Sequence, residues 1–261
     1  MSNFLRWLIN LFGFNIWQRP PPVADSARPA ERSALVDHLH STYGIKLIEH
    51  DPKGNARPLS LAELLTLRQT LDLLGETWSA PFREKPIHFW IDRNPGGGHY
   101  GNQWLRIGEP YNDLSVLYRI FIHEGTHASN EYRGWLYENE WCFKKGLDWR
   151  KEGDQWTHPR QQGKPLQSGD WETLPVDSRD VSTAPGEDLA EMVRYYVHSV
   201  REERAYLWTL DLSKPPTYLW ETSPTRFVFV RDVFLRLPSD SPLYKRLSSD
   251  LERYAAANLG L

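Results

Sequence analysis

The run His123-Glu124-Gly125-Thr126-His127 constrains this chain more than any other feature. Two histidines four positions apart fall about 40° apart around a helix, so both imidazoles can reach one metal ion. Glu124 is rotated by about 100° from His123 and can meet a water held at that ion. The string means this only on a helix, and residues 114–122 before it carry one charge, Arg119, and are otherwise apolar nearly all round. That is the pattern of a helix buried at the centre of a domain. Zinc suits such a site, since imidazole is a borderline-soft ligand and three protein ligands leave a fourth position open for water.

Upstream of the motif the chain alternates elements. Residues 34–40 read as helical and residues 44–49 (GIKLIE) as a short strand. Ser60, with Glu63 three positions on, forms a capping box that opens the helix LAELLTLRQTLDLL. Residues 87–91 (IHFWI) read as a strand, Asn94-Pro95-Gly96-Gly97-Gly98 as a turn or mobile loop, and residues 100–107 (YGNQWLRI) as a second strand. This order predicts an α+β domain. At 261 residues, 40% hydrophobic, the chain suits one such domain with a packed core. A net charge of −3 and the absence of a long basic run argue against a nucleic-acid partner. The single cysteine, Cys142, excludes an intramolecular disulfide framework. Composition assigns no compartment.

Residues 4–17 (FLRWLINLFGFNIW) carry one charge, and Asn3, Arg6, Asn10 and Gly13 form a narrow polar stripe at helical spacing. The stretch is too short to span a bilayer comfortably. It reads either as a helix lying in a membrane interface or as one packing on protein. The expected organisation is an apolar N-terminal helix over 1–18, a Pro-rich linker over 19–33, and one domain over 34–261. Within that domain, residues of about 133–182 form an insert rich in Trp, Gly and charge.

The third metal ligand has to come from another element. The metzincin continuation is absent, because its Gly and His positions hold Asn130 and Arg133. Downstream, the run EDLAEMVRYYVHSVREERAYL begins at Glu187. With Glu187 set at 0°, Glu191, Arg194 and His198 fall at about 40°, −20° and 20°, while Leu189, Met192, Tyr196 and Val200 lie opposite. Such a stripe reads as a solvated face with ion pairs, or as the face that completes a metal site. Glu187 and Glu191 sit one turn apart, so either could reach the metal. His158, Asp177, Asp180 and Asp188 are rival ligands.

HExxH followed by E-x-x-A-E resembles the gluzincin metallopeptidases, and more narrowly the family of the anthrax lethal factor catalytic domain. The resemblance covers roughly residues 43–240. It implies a zincin-like metallopeptidase fold: a small mixed sheet with an edge strand beside the HExxH helix, and a mostly helical C-terminal half. A peptide substrate would lie along that edge strand, for which residues 100–107 are the candidate. The resemblance further implies a zinc-dependent metalloendopeptidase acting on protein or peptide substrates. In it, His123, His127 and Glu187 hold Zn2+, Glu124 is the general base, and Glu191 accepts a hydrogen bond from a liganding histidine. In one respect the chain departs from the family. Lethal-factor relatives place a tyrosine shortly before the ligand glutamate, and this chain has none between Tyr137 and Tyr195. The expected oxyanion donor is therefore His198 or Arg194 on the Glu187 face, or Tyr132 or Tyr137 beyond the motif. Two alternatives stand beside the endopeptidase: a zinc hydrolase acting on a non-peptide bond, and an inactive zincin-fold binding module. Intact Glu124 argues against the latter, since a structural zinc has four protein ligands and needs no base.

If residues 4–17 lie in a membrane interface, the full-length protein is expected to sediment with liposomes and a version beginning at Val23 to stay in solution. Equal sedimentation of the two would assign the segment to packing on protein.

Overall fold

The computed structural model describes residues 29–94, 97–109, 114–142, 150–152, 155–157, 185–200, 227–241, 243–245, 248–249 and 252. The apolar N-terminal segment and most of the Trp-rich insert lie outside them. In chain order the main elements are α1 (Pro29–Tyr43), β1 (Ile45–Leu47), β2 (Ala56–Arg57), α2 (Leu61–Glu84), β3 (Ile87–Asp92), β4 (Gly98–Gly101), β5 (Trp104–Gly108) and α3 (Leu114–Tyr132). A π-helical segment (Tyr137–Cys142), a small hairpin of β6 (Arg150–Glu152) and β7 (Gln155–Thr157), α4 (Pro185–Val200) and a second π-helical segment (Phe229–Phe234) follow. This is a mixed α+β fold with a small sheet and mostly helical content. Helix α1 begins inside the stretch read as linker.

The sheet runs β1-β3-β5-β4, with β1, β3 and β5 parallel, β4 antiparallel to β5, and β2 paired antiparallel to the end of β3. Alternation sets its faces. Phe89, Ile91, Leu105 and Ile107 are fully buried, and Trp104 on the other face is exposed. The single strand expected over residues 100–107 is instead a hairpin. Asn102 and Gln103 take φ of 49° and 70°, and two consecutive positive values suit a tight two-residue reversal. The edge strand is therefore β4, within and just after the stretch read as a Gly-rich turn, while β5 is interior.

Helix α2 starts as its sequence demands. Glu63 N–H donates to Ser60 Oγ at 3.3 Å, and Ser60 N–H donates to the Glu63 carboxylate at 2.7 Å. Arg57 forks between that same Glu63 and Glu109, with bonds of 2.7–2.9 Å, tying β2 and the helix start to the end of β5. The apolar run predicted as helix ends at Leu74, and there Gly75 breaks the regular geometry with φ 76° and ψ 173°. The helix resumes and carries Trp78 into the core. Trp78 Nε1–H donates to Thr126 Oγ1 at 3.2 Å, and Ser129 Oγ–H donates to the Trp78 carbonyl at 2.8 Å. A Cβ at Gly125 would lie 2.6 Å from the Trp78 ring, so the glycine inside the HExxH string is what lets α2 reach α3.

Helix α4 packs along α3. Two members of its polar stripe are nearly buried, Glu191 at 3% and Arg194 at 6% exposed, while the Glu187 side chain is 28% exposed. The chain is helical again at Phe227, and over Phe229–Phe234 it is wound as a π-helix. Its end is held by Arg133, whose guanidinium donates to the Phe234 carbonyl at 2.7 Å. Phe229 packs on Tyr137 with ring centroids 5.4 Å apart, and Phe227 on Tyr196 at 5.5 Å.

Two glycines with nearly equal φ separate strain from crowding. Gly44 (φ 69°) would place a Cβ 2.0 Å from the Phe82 carbonyl oxygen, whereas Gly54 (φ 71°) has nothing within 4 Å. Gly54→Ala is expected to cost about 1–2 kcal/mol of backbone strain in urea denaturation. Gly44→Ala should cost several times more. Equal losses would contradict the close approach of α1 to α2.

Candidate metal centre

Helix α3 presents His123, Glu124 and His127 to a cleft of about 860 Å3. The two Nε2 atoms lie 3.2 Å apart, with the rings nearly perpendicular. Helix α4 brings the third group. Glu187 Oε2 is 3.0 Å from His123 Nε2, and Oε1 is 3.4 Å from His127 Nε2. Ligand atoms of all three side chains fall within 4.8 Å of one another. One turn on, Glu191 Oε1 accepts a hydrogen bond from His123 Nδ1–H at 2.8 Å. That bond fixes the tautomer, leaving the His123 Nε2 lone pair aimed at the centre. Arg194 in turn donates to the other Glu191 oxygen, supplying a permanent countercharge to this buried carboxylate.

Two imidazole nitrogens and a carboxylate converge as acceptors, an arrangement that needs a cation between them. Without a metal, protons serve. Burial alone would push the His123 imidazole down, but its contacts with Glu187 and Glu191 prevail and raise it to about 10. Burial pushes Glu187 up, and the two imidazoles more than reverse this, holding its carboxyl well below the usual range. Two borderline nitrogens, one carboxylate and an open cleft form a donor set that fits zinc.

Glu124 sits beside this cluster, against the edge strand. A Cβ at Gly98 would lie 2.5 Å from both Cγ and Oε1 of Glu124 and 2.4 Å from Ile120 Cγ2, so β4 passes over the carboxylate at a distance only glycine allows. Burial pushes the Glu124 carboxyl above its ordinary value, against the opposing pull of His123 and His127. On α4, Gly186 borders the same cluster: a Cβ there would stand 3.5 Å from His127 Nδ1, an ordinary contact distance.

The proposed oxyanion donors separate. Arg194 lines the cleft while paired with Glu191. Tyr137 is spent elsewhere: its hydroxyl donates to the buried Asp188 at 2.6 Å, which also engages Asp188, one of the rival ligands. The Tyr132 ring packs edge-on to Phe82 with centroids 5.7 Å apart and is not among the residues lining the cleft. His198 belongs to α4, but its side chain lies outside the described residues, as do His158, Asp177 and Asp180. Two residues were missed in the sequence. His99, on the edge strand, lines the cleft and exerts its charge on Glu124. Glu138, behind His127, is 8% exposed. Only the adjoining Gly-rich run marked His99, and nothing local marked Glu138.

No family model and no curated protein matches this chain. Among solved structures, a zinc-binding metallo-peptidase of provisional assignment from Bacteroides caccae is 13% identical. It covers 87% of this chain and 85% of its own, with a TM-score of 0.35. A superposition of that quality carries no weight, so the reading of the centre rests on this chain's own residues.

The geometry ranks the two glutamates. Glu187→Ala removes an atom of the converging set, whereas Glu191→Ala removes a support whose loss typically costs about 10–100-fold in metal affinity. Competition with a zinc chelator is expected to find Glu187→Ala the weaker binder. The reverse order would exchange their roles.

Proposed function

We propose that this protein is a zinc-dependent metalloendopeptidase of the gluzincin type, related in plan to the lethal factor catalytic domain. The observation that carries the reading is the meeting of His123 Nε2, His127 Nε2 and the Glu187 carboxylate beside Glu124 in an open cleft. His123, His127 and Glu187 would hold the zinc, with Glu191 orienting His123. When bound, zinc supplies a Lewis acid that polarises the scissile carbonyl and acidifies water. Glu124 then takes the proton of the attacking water and delivers it to the departing amine nitrogen, a two-step duty that suits a carboxyl raised by burial.

Substrate placement follows from β4. Among the described residues it pairs with β5 alone, which leaves its other edge for the backbone of an extended peptide. Since Gly98 lies against Glu124, a peptide paired to β4 would pass the general base. His99 and Arg194 are the cleft residues we assign to the carbonyl oxygen as its negative charge develops, in place of the family's missing tyrosine.

The test is a proteome incubated with zinc-loaded wild type and with Glu124→Gln, its new termini identified by mass spectrometry. Wild type is expected to generate products, and the variant to retain zinc while losing about 10²–10⁴ of the rate. No new termini with the wild type would overturn the peptidase reading. Loss of zinc in the variant would make Glu124 a ligand.

A further inference from the structure

The two histidines of the cluster are supported unequally by the contacts described so far. His123 Nδ1–H is held by Glu191. His127 turns Nε2 toward Glu187, so its Nδ1 points away from the centre, toward the first turn of α4. Glu138 lies on that side as well. A single point, the position of a Cβ on Gly186, is 3.5 Å from His127 Nδ1 and 3.8 Å from Glu138 Oε1. The ring nitrogen and the carboxylate oxygen thus face the same methyl-sized space, which glycine leaves open. The other Glu138 oxygen is already engaged: Asn130 Nδ2–H donates to Oε2 at 2.9 Å, and Asn130 Oδ1 accepts from Tyr137 N–H at 3.0 Å. Asn130 is 1% exposed and lies on α3 three residues beyond His127. A nearly buried carboxylate clamped at one oxygen and turned toward an imidazole N–H is the arrangement that orients a liganding histidine.

We infer that Glu138 is the positioning residue of His127, accepting its Nδ1–H directly or through one water across the Gly186 gap. The inference rests on the zinc reading above and extends it. Each histidine then has its own carboxylate, Glu191 for His123 and Glu138 for His127. The second comes from the π-helical segment that follows α3, so that segment belongs to the metal centre although neither Tyr137 nor Glu138 lines the cleft. Asn130 is the part that fixes the Glu138 carboxylate, and it occupies the position at which the metzincin pattern would require glycine.

Glu138→Gln tests this with little change of shape. The amide oxygen can still accept from Asn130, but an NH2 group then faces His127 Nδ1–H, donor against donor. Zinc affinity by chelator competition is expected to fall about 10–100-fold. Thermal melting of the metal-free variant is expected to match wild type, which a merely structural role would not allow. In zinc-loaded protein carrying 15N-labelled histidine, the His127 Nδ1–H resonance should shift and exchange faster in the variant while that of His123 stays in place. Unchanged affinity and an unmoved resonance in Glu138→Gln would overturn the assignment. A wild type that takes up no zinc would overturn the metal reading itself, a separate failure.

Discussion

The contact between the polar stripe of α4 and the motif face of α3 governs the rest of this structure. His123 is held between two carboxylates one helical turn apart, Glu187 at Nε2 and Glu191 at Nδ1. Burying that much charge is costly unless every partner is satisfied. Arg194 completes the set by pairing with Glu191, so these two charges can lie inside the protein while Glu187 opens onto the cleft. The apolar side of the same helix, with Leu189, Met192, Val193, Tyr196 and Val197 all fully buried, supplies the hydrophobic burial against which the polar contact is held.

Two glycines set how closely neighbours approach α3, each on a different side. Gly125 admits the Trp78 ring of α2 and Gly98 lets the edge strand pass over Glu124, while α4 packs on a third side. The motif helix is thereby gripped by a helix, a strand and a second helix, with its side chains fixed before any ligand arrives. Pre-organisation of that kind is what metal and catalytic sites require, because small misplacements of the supporting groups are expensive.

Much of this was legible in the sequence, for local reasons. The HExxH spacing and the Ser60–Glu63 capping box are short-range signals, and they appear where expected. The wheel for residues 187–198 grouped Glu187, Glu191 and Arg194 correctly, but it left open whether the stripe met water or protein. That depended on docking against α3, a contact across more than 60 residues of chain that no periodicity encodes. The hairpin within residues 100–107 escaped because its turn is Asn102-Gln103, without the glycine that usually marks a two-residue reversal. Glu138 escaped for a similar reason. It comes near His127 only because the chain turns back after α3 through Gly134 and Trp135, both at positive φ.

X-ray absorption at the zinc edge of the loaded protein reads the central claim most directly. The account expects a four-coordinate shell of nitrogen and oxygen near about 2.0 Å, with multiple-scattering features of two imidazoles and the remainder supplied by one carboxylate and one exchangeable oxygen. A sulfur contribution near about 2.3 Å would bring Cys142 into the shell, and a signature of three or four imidazoles would displace Glu187. Either result would contradict a centre built from His123, His127 and Glu187 with one position left open.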